Sequence, residues 1–214
     1  MKILLVAATR AEVEPFLKHY SFSTEAPFEK TIGNYQLNVL ITGVGMVATA
    51  FSMAKAFSEQ NYDLAVNAGI AGSFSSSLKP GEICNVTEDI FAELGAEDSD
   101  NFLSIENLGL GKSIYSPINC NLFNINKPLK QVRAITVNTV HGNEISIQKI
   151  VARLNPDIES MEGAAFFYAC EQYQVPSLQI RSISNYVEKR TRDNWQIDTA
   201  IRELNIYLIE LIKL

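Results

Sequence analysis

The sequence is poor in several residue types that mark whole classes of function. It has two histidines, His19 and His141, and neither has a second ligand-type residue at metal-site spacing. Its three cysteines, Cys84, Cys120 and Cys170, are odd in number, far apart and contain no CxxC pair. A disulfide framework is therefore not expected; a reducing, cytoplasmic compartment fits, and no metal is expected. No block of Lys or Arg is present and the net charge is −6, which argues against a nucleic-acid footprint. No apolar run approaches the roughly 18 residues of a membrane span. The apolar stretch from Ile3 to Ala8 is too short for a secretory signal and is followed at once by Arg10, Glu12 and Glu14.

What remains is an ordinary globular composition. A chain of 214 residues with 47% hydrophobic content can bury a core without staples, and residues 1–214 are expected to form a single domain. The apolar run Ile3 to Ala8 is expected to be a central strand covered on both faces. Thr9, with Glu12 three residues later, is a capping signal for the helix that follows. Phe28 to Ile32 and Tyr35 to Ile41 flank Gly33-Asn34 as a hairpin. A helix is expected from Val47 to Glu59, a strand over Leu64 to Asn67 ending in the small-residue loop Ala68 to Ser73, and further strands over Glu82 to Ile90 and Val132 to Asn138.

The stretch from Phe91 to Leu110 has the composition of a solvated surface loop, or else of a flap over a ligand. Asn143 is a cap candidate, and His141 just before it is better explained as a turn residue or a satisfied hydrogen-bonder than as a catalyst. Asp157 to Met161 fits a short strand, Gly163 to Tyr173 a helix and Pro176 to Ser184 a strand. Asn194 is the expected cap of a last helix with the stripe Ile197, Ile201, Leu204, Leu208 and Leu211. Strands and helices mostly alternate, so the fold class is three-layer α/β/α around a central mixed, twisted sheet.

Three polar residues follow different strands and so could converge at one sheet edge, where α/β proteins bind ligands. Glu162 could accept two hydroxyl hydrogen bonds from a vicinal diol, or could simply be an acid at a helix start. Asn185, beside Ser184, ends an apolar strand and could equally be a turn residue. Glu12 could equally be a surface acid. The glycine-bearing turns at Thr42-Gly43-Val44-Gly45 and Gly69-Ile70-Ala71-Gly72 allow close backbone approach to a ligand.

These pieces, taken in order, resemble the nucleoside phosphorylase/nucleosidase superfamily along nearly the whole chain. They are Met1 through Glu12, Thr42-Gly43-Val44-Gly45, Asn67-Ala68-Gly69-Ile70-Ala71-Gly72, Ser160-Met161-Glu162-Gly163-Ala164 and Arg181-Ser182-Ile183-Ser184-Asn185. Two stretches, Phe91 to Asp98 and Ser184 to Trp195, look most like the futalosine hydrolases within it. The resemblance implies roles: Glu162 holds ribose hydroxyls and Met161 packs on the sugar. Glu12 activates a water, Asn185 faces the purine at N7, and Arg181 and Ser184 orient Asn185. The segment from Asn67 to Ser73, with Ala71 and Gly72, lines the pocket. Phe91 or Phe102 would contact an aromatic substrate tail and Arg190 or Arg192 its carboxylate; a solvated charged turn is the plain alternative. A homodimer is implied, with a small-molecule nucleoside as partner and no organic cofactor.

Asn rather than Asp at position 185 suits a 6-oxopurine, since an amide can donate to O6 and accept from N7–H. Glu12 suits water over phosphate, and Arg10 is the one arginine near that strand end. Adenine-releasing methylthioadenosine or S-adenosylhomocysteine nucleosidases, and a non-catalytic nucleoside binder, are the competing readings. Two departures stand out: Ser160 replaces a glutamate usual before the Met, and Ile70 stands where a small hydroxyl residue is common.

Overall fold

The computed structural model describes residues 1–118, 129–189 and 192–213. In chain order the elements are β1 (Lys2–Ala7), α1 (Arg10–His19), β2 (Phe28–Ile32), β3 (Tyr35–Ile41), α2 (Met46–Glu59), β4 (Leu64–Ser73), β5 (Ile83–Phe91), β6 (Gly95–Asp98), β7 (Asn101–Ser104), β8 (Ile114–Tyr115), β9 (Lys130–Thr136), α3 (Glu144–Leu154), β10 (Ile158–Ser160), α4 (Gly163–Tyr173), β11 (Ser177–Tyr186) and α5 (Ile197–Lys213). A mixed sheet runs β10-β9-β5-β11-β4-β1-β3-β2, with β8 beside β5.

Alternation along the central strand sorts the layers. Ile3, Leu5 and Ala7 face a core shared with Val13 and Phe16 of α1 and Leu204 and Leu208 of α5. Leu4 and Val6 face the opposite core, with Met53 and Phe57 of α2 and Phe166 and Phe167 of α4. Helices therefore cover both faces, as a strand without polar alternation requires. A third cluster packs Ile150 of α3 on Ile90, Ile135 and Val137.

The sheet is not simply open. β10 also pairs antiparallel with the end of β4, Glu159 opposite Gly72, so that β4, β11, β5, β9 and β10 close on themselves. This closure brings the ends of β4, β10 and β11 to one place.

Strand and helix bounds shift by one or two residues, and three expectations differ in kind. The small-residue run Ala68 to Ser73 is not a loop: it continues β4, held by parallel pairing with β11 from Ser177↔Ala65 to Tyr186↔Ser73. Residues 91–110 carry the β6–β7 hairpin. Asn194 does not cap α5: it ends a 3₁₀ turn, Arg192–Asn194, donates to Glu188 at 3.1 Å, and α5 begins at Ile197. Cys84 and Cys170 are free and buried, and burial pushes the Cys84 thiol up to about 12; Cys120 lies outside the described residues. No helix among the described residues is long and apolar enough to cross a membrane.

Candidate active site

A cavity of about 410 Å³ opens where β1, β4, β10 and β11 end. Glu12, Glu162 and Asn185 all line it, together with Met161, Ser184, Ala71 and Gly72. Each acid is positioned by backbone donors.

Glu12 sits in the first turn of α1, 7% exposed. Its Oε2 accepts from the Thr9 N–H at 2.8 Å and the Thr9 hydroxyl at 2.9 Å, which closes the capping box. Its Oε1 accepts from the Ile70 N–H at 3.2 Å. A carboxylate offers about four lone-pair positions, so three bonds leave roughly one for a molecule in the cavity. The helix carrying Glu12 is itself pinned. Pro15 has no N–H, and the Phe16 N–H turns to Asn205 Oδ1 at 2.8 Å, while Asn205 Nδ2 donates to the Glu12 carbonyl at 2.8 Å.

Glu162 is the N-cap residue of α4, yet its side chain does not cap that helix. Its Oε1 accepts from the Gly45 N–H at 3.0 Å. Gly45 has φ 98°, a conformation that favours glycine and turns its N–H toward the acid. Ser160, in the place of the usual glutamate, accepts from the Gly163 N–H at 3.3 Å and lines the cavity.

Asn185 follows a register shift in the β4–β11 pairing. The Ser184 hydroxyl donates to Asn185 Oδ1 at 2.8 Å, and Asn185 Nδ2 donates to the Tyr186 carbonyl at 2.9 Å. One amide N–H and one carbonyl lone pair remain for a ligand.

Arg181 lies elsewhere than expected. It is 1% exposed, outside the cavity lining, and bonds to Gln179 Oε1 at 3.0 Å and to Asn67 Oδ1, not to Asn185. Its guanidinium packs against Gly69 on the same side as Glu12 Oε1. In β11 it sits four residues before Asn185, so strand geometry separates their side chains by more than a hydrogen bond.

The aromatic expectations also shift. Phe91 lines a smaller recess of about 250 Å³ with Met46, Glu93, Leu94 and Asn138, its ring edge-on to Tyr115. Phe102 is on β7, under the Arg153 guanidinium at 3.7 Å, and does not reach the main cavity. Arg190 and the side chain of Arg192 lie outside the described residues. Arg10 turns away, pairing with Glu14 at 2.5 Å and packing over Phe28.

The sequence reading missed Trp195, Ile197 and Ile201, which form an apolar wall, and Val140, His141 and Glu159, which form another. The helical stripe of α5 contained the signal for the first wall: its N-terminal members extend beyond the core. No described arginine or lysine lines the cavity. Among the described residues, no three His, Cys, Asp or Glu side chains gather as a metal site.

The model of the Phosphorylase superfamily matches residues 2–213. The futalosine hydrolase of Streptomyces coelicolor is 31% identical over 185 residues, covering 78% of this chain and 74% of that protein. The futalosine hydrolase of Thermus thermophilus is 28% identical over 207 residues, covering 94% and 91%. A mutant MTAN of Helicobacter pylori, crystallised with 5'-methylthioadenosine in its active site, superimposes with a TM-score of 0.85 at 17% identity. That match covers 99% of this chain and 98% of the other, and shows a shared fold.

Proposed function

Since the chain belongs to the Phosphorylase superfamily, we propose that it hydrolyses the N-glycosidic bond of futalosine, releasing hypoxanthine and the base-free sugar product. One observation carries this reading: Glu12, Glu162 and Asn185 ring a single cavity whose described lining offers no cation for phosphate. The futalosine hydrolases among the relatives support the substrate.

In the proposed reaction Glu162 accepts from the ribose hydroxyls with the lone pairs left free by Gly45. Met161 packs on the sugar. A water held by the open lone pair of Glu12 attacks the anomeric carbon and gives its proton to that carboxylate. The carbon–N9 bond breaks, its electron pair leaves with the purine, and N7 takes a proton from a second water, whose hydroxide recovers the proton held by Glu12. Asn185 donates to O6 and accepts from N7–H, stabilising the leaving group as charge develops. An adenine presents neither O6 nor a matching donor pattern, and a site with mismatched buried polar groups discriminates by about 10⁴ or more at best. No metal or organic cofactor takes part.

We also propose one catalytic domain acting in the cytoplasm as a homodimer in menaquinone biosynthesis. Exposed Val44 in the turn before α2, with Val47 and Phe51 on that helix, at 56%, 79% and 72%, makes an apolar face beside the cavity mouth, which supports pairing there. Sedimentation at micromolar concentration tests the dimer.

The function is tested with purified protein and futalosine, methylthioadenosine or inosine in phosphate-free buffer, following the released base by chromatography. Hypoxanthine from futalosine is expected. Adenine from methylthioadenosine in its place would overturn the reading, as would binding without turnover.

A further inference from the structure

One acid–imidazole pair in the cavity wall has no part in the reaction above. His141, between β9 and α3, lines the cavity with its side chain 14% exposed. Glu159 of β10, whose side chain is 3% exposed, accepts two bonds from this one residue. One comes from the His141 backbone N–H at 3.0 Å and the other joins ring Nδ1 at 2.6 Å. In the neutral imidazole, a carboxylate that only accepts places the ring proton on Nδ1 and leaves a lone pair at Nε2. That nitrogen has no hydrogen bond among the described residues. Phe74, with its centroid 6.1 Å away and its ring edge-on, packs beside the imidazole.

The pair sits at the Asn185 end of the cavity. Glu159 faces Gly72 across the β10–β4 pairing. A Cβ built on Gly72 would lie 3.3 Å from Asn185 Nδ2 and 3.6 Å from Glu159 Cγ, so the two side chains flank one glycine. Glu162, tied to Gly45, belongs to a different wall.

We propose that His141, with its tautomer fixed by Glu159, is a specificity-determining residue for the purine: Nε2 accepts a hydrogen bond from N1–H of a 6-oxopurine. This rests on the function proposed above and adds the residue that reads the base at N1. A 6-aminopurine carries a bare lone pair at N1, which would face the lone pair of Nε2. Asn185, oriented by Ser184 and the Tyr186 carbonyl, addresses O6 and N7. The imidazole addresses N1, and Glu159 decides which of its nitrogens holds the proton.

The test compares futalosine with its 6-amino analogue as substrates for the full chain. Wild-type protein is expected to prefer the 6-oxo substrate. His141→Ala removes the acceptor and is expected to reduce that preference by about 10- to 100-fold, mostly through slower futalosine cleavage. Glu159→Gln is the sharper variant. Its amide oxygen still accepts from the backbone N–H, while its NH₂ donates to Nδ1 and moves the ring proton to Nε2. The donor now matches the lone pair at N1 of the 6-amino substrate, and the preference is expected to shift toward it.

A purely structural role would slow both substrates together; an unchanged ratio in both variants overturns the inference while the function stands. No hypoxanthine from wild-type protein overturns the function and this inference with it. A measurement on wild-type protein covers the case in which the variants fail to fold. With only two histidines, one of them the exposed His19, ¹⁵N imidazole NMR resolves His141. Saturating hypoxanthine is expected to move an unprotonated Nε2 resonance. A protonated or unmoved Nε2 in the complex refutes the proposal.

Discussion

Gly69→Ala is the smallest change that tests how Glu12 is held. Gly69 does not have left-handed backbone geometry, so alanine brings no conformational strain there. It brings only a methyl group. That carbon would lie 2.9 Å from Glu12 Oε1 and inside the contact distance of the Arg181 guanidinium. The guanidinium cannot retreat, because it is 1% exposed and bonded to Gln179 and Asn67. Glu12 must therefore give way, or β4 must bulge and carry the Ile70 N–H with it. Either movement is about 0.5 Å at the least, and a misplacement of about 1 Å in a catalytic group can cost about 10²-fold in rate. The expected result is a kcat lower by about 10- to 100-fold in steady-state base release. KM should change little, because Glu162 and Asn185 are held from other segments. Overpacking should also lower stability by about 1–3 kcal/mol in urea unfolding. Gly111→Ala is the control, since its Cβ would make only an ordinary contact at 3.6 Å with Ile105. A Gly69→Ala enzyme with kcat within about threefold of wild type would refute the claim that this contact sets the position of Glu12.

Asn205→Leu leaves the buried Phe16 N–H and the Glu12 carbonyl without the partners that bridge the helix at Pro15, and should cost about 2–4 kcal/mol in denaturant unfolding. Asp89, fully buried, gives a pH signature. Desolvation outweighs the bonds from Thr136 and Gln179 and the charge of Arg181, and pushes its carboxyl from 3.8 up to about 6. A folded pKa above the unfolded one means that the native state holds the proton more tightly. The associated stability, about 3 kcal/mol, is present below about pH 4 and is lost as pH rises through about 6. Urea unfolding of wild type and Asp89→Asn across that range should show the slope in the first and not in the second.

Local chemistry was readable where a few neighbouring residues decide it. The hairpin around Gly33 and the capping box of Thr9 and Glu12 have the expected bounds and bonds, because turn and cap preferences act over four residues. The small residues of Ala68 to Ser73 read locally as a loop, yet the run is strand. Gly69 and Gly72 are small because Arg181 and Asn185 from β11 lie against them, and that crowding is tertiary. Asn205 reads in sequence as a polar residue beside the stripe of α5; its partners are up to 193 residues away. Sequence alone reads His141 as a turn residue or a satisfied hydrogen-bonder. It is hydrogen-bonded, to Glu159, and it also lines a cavity that local sequence could not reveal.

The same tertiary logic explains why Arg181 can stay buried without an acid bonded to it. A lone guanidinium in the core would be costly. Here it starts a continuous hydrogen-bonded chain: Asn67 and Gln179 accept from it, Gln179 donates to Asp89 at 3.1 Å, Thr136 donates to Asp89 at 2.8 Å, and Thr136 accepts from the Ala164 N–H at 2.7 Å. One end lies under Gly69, against Glu12. The other lies in the first turn of α4, directly after Glu162. Both ends meet glycine, since a Cβ at Gly163 would run into Asp89 and come within 2.9 Å of Gln179 Cδ. The chain therefore links the segments that carry the two carboxylates from beneath. Chains of this kind lose more than one bond's worth of order when one member is removed. None of its members lines the cavity, yet both of its ends adjoin residues that do.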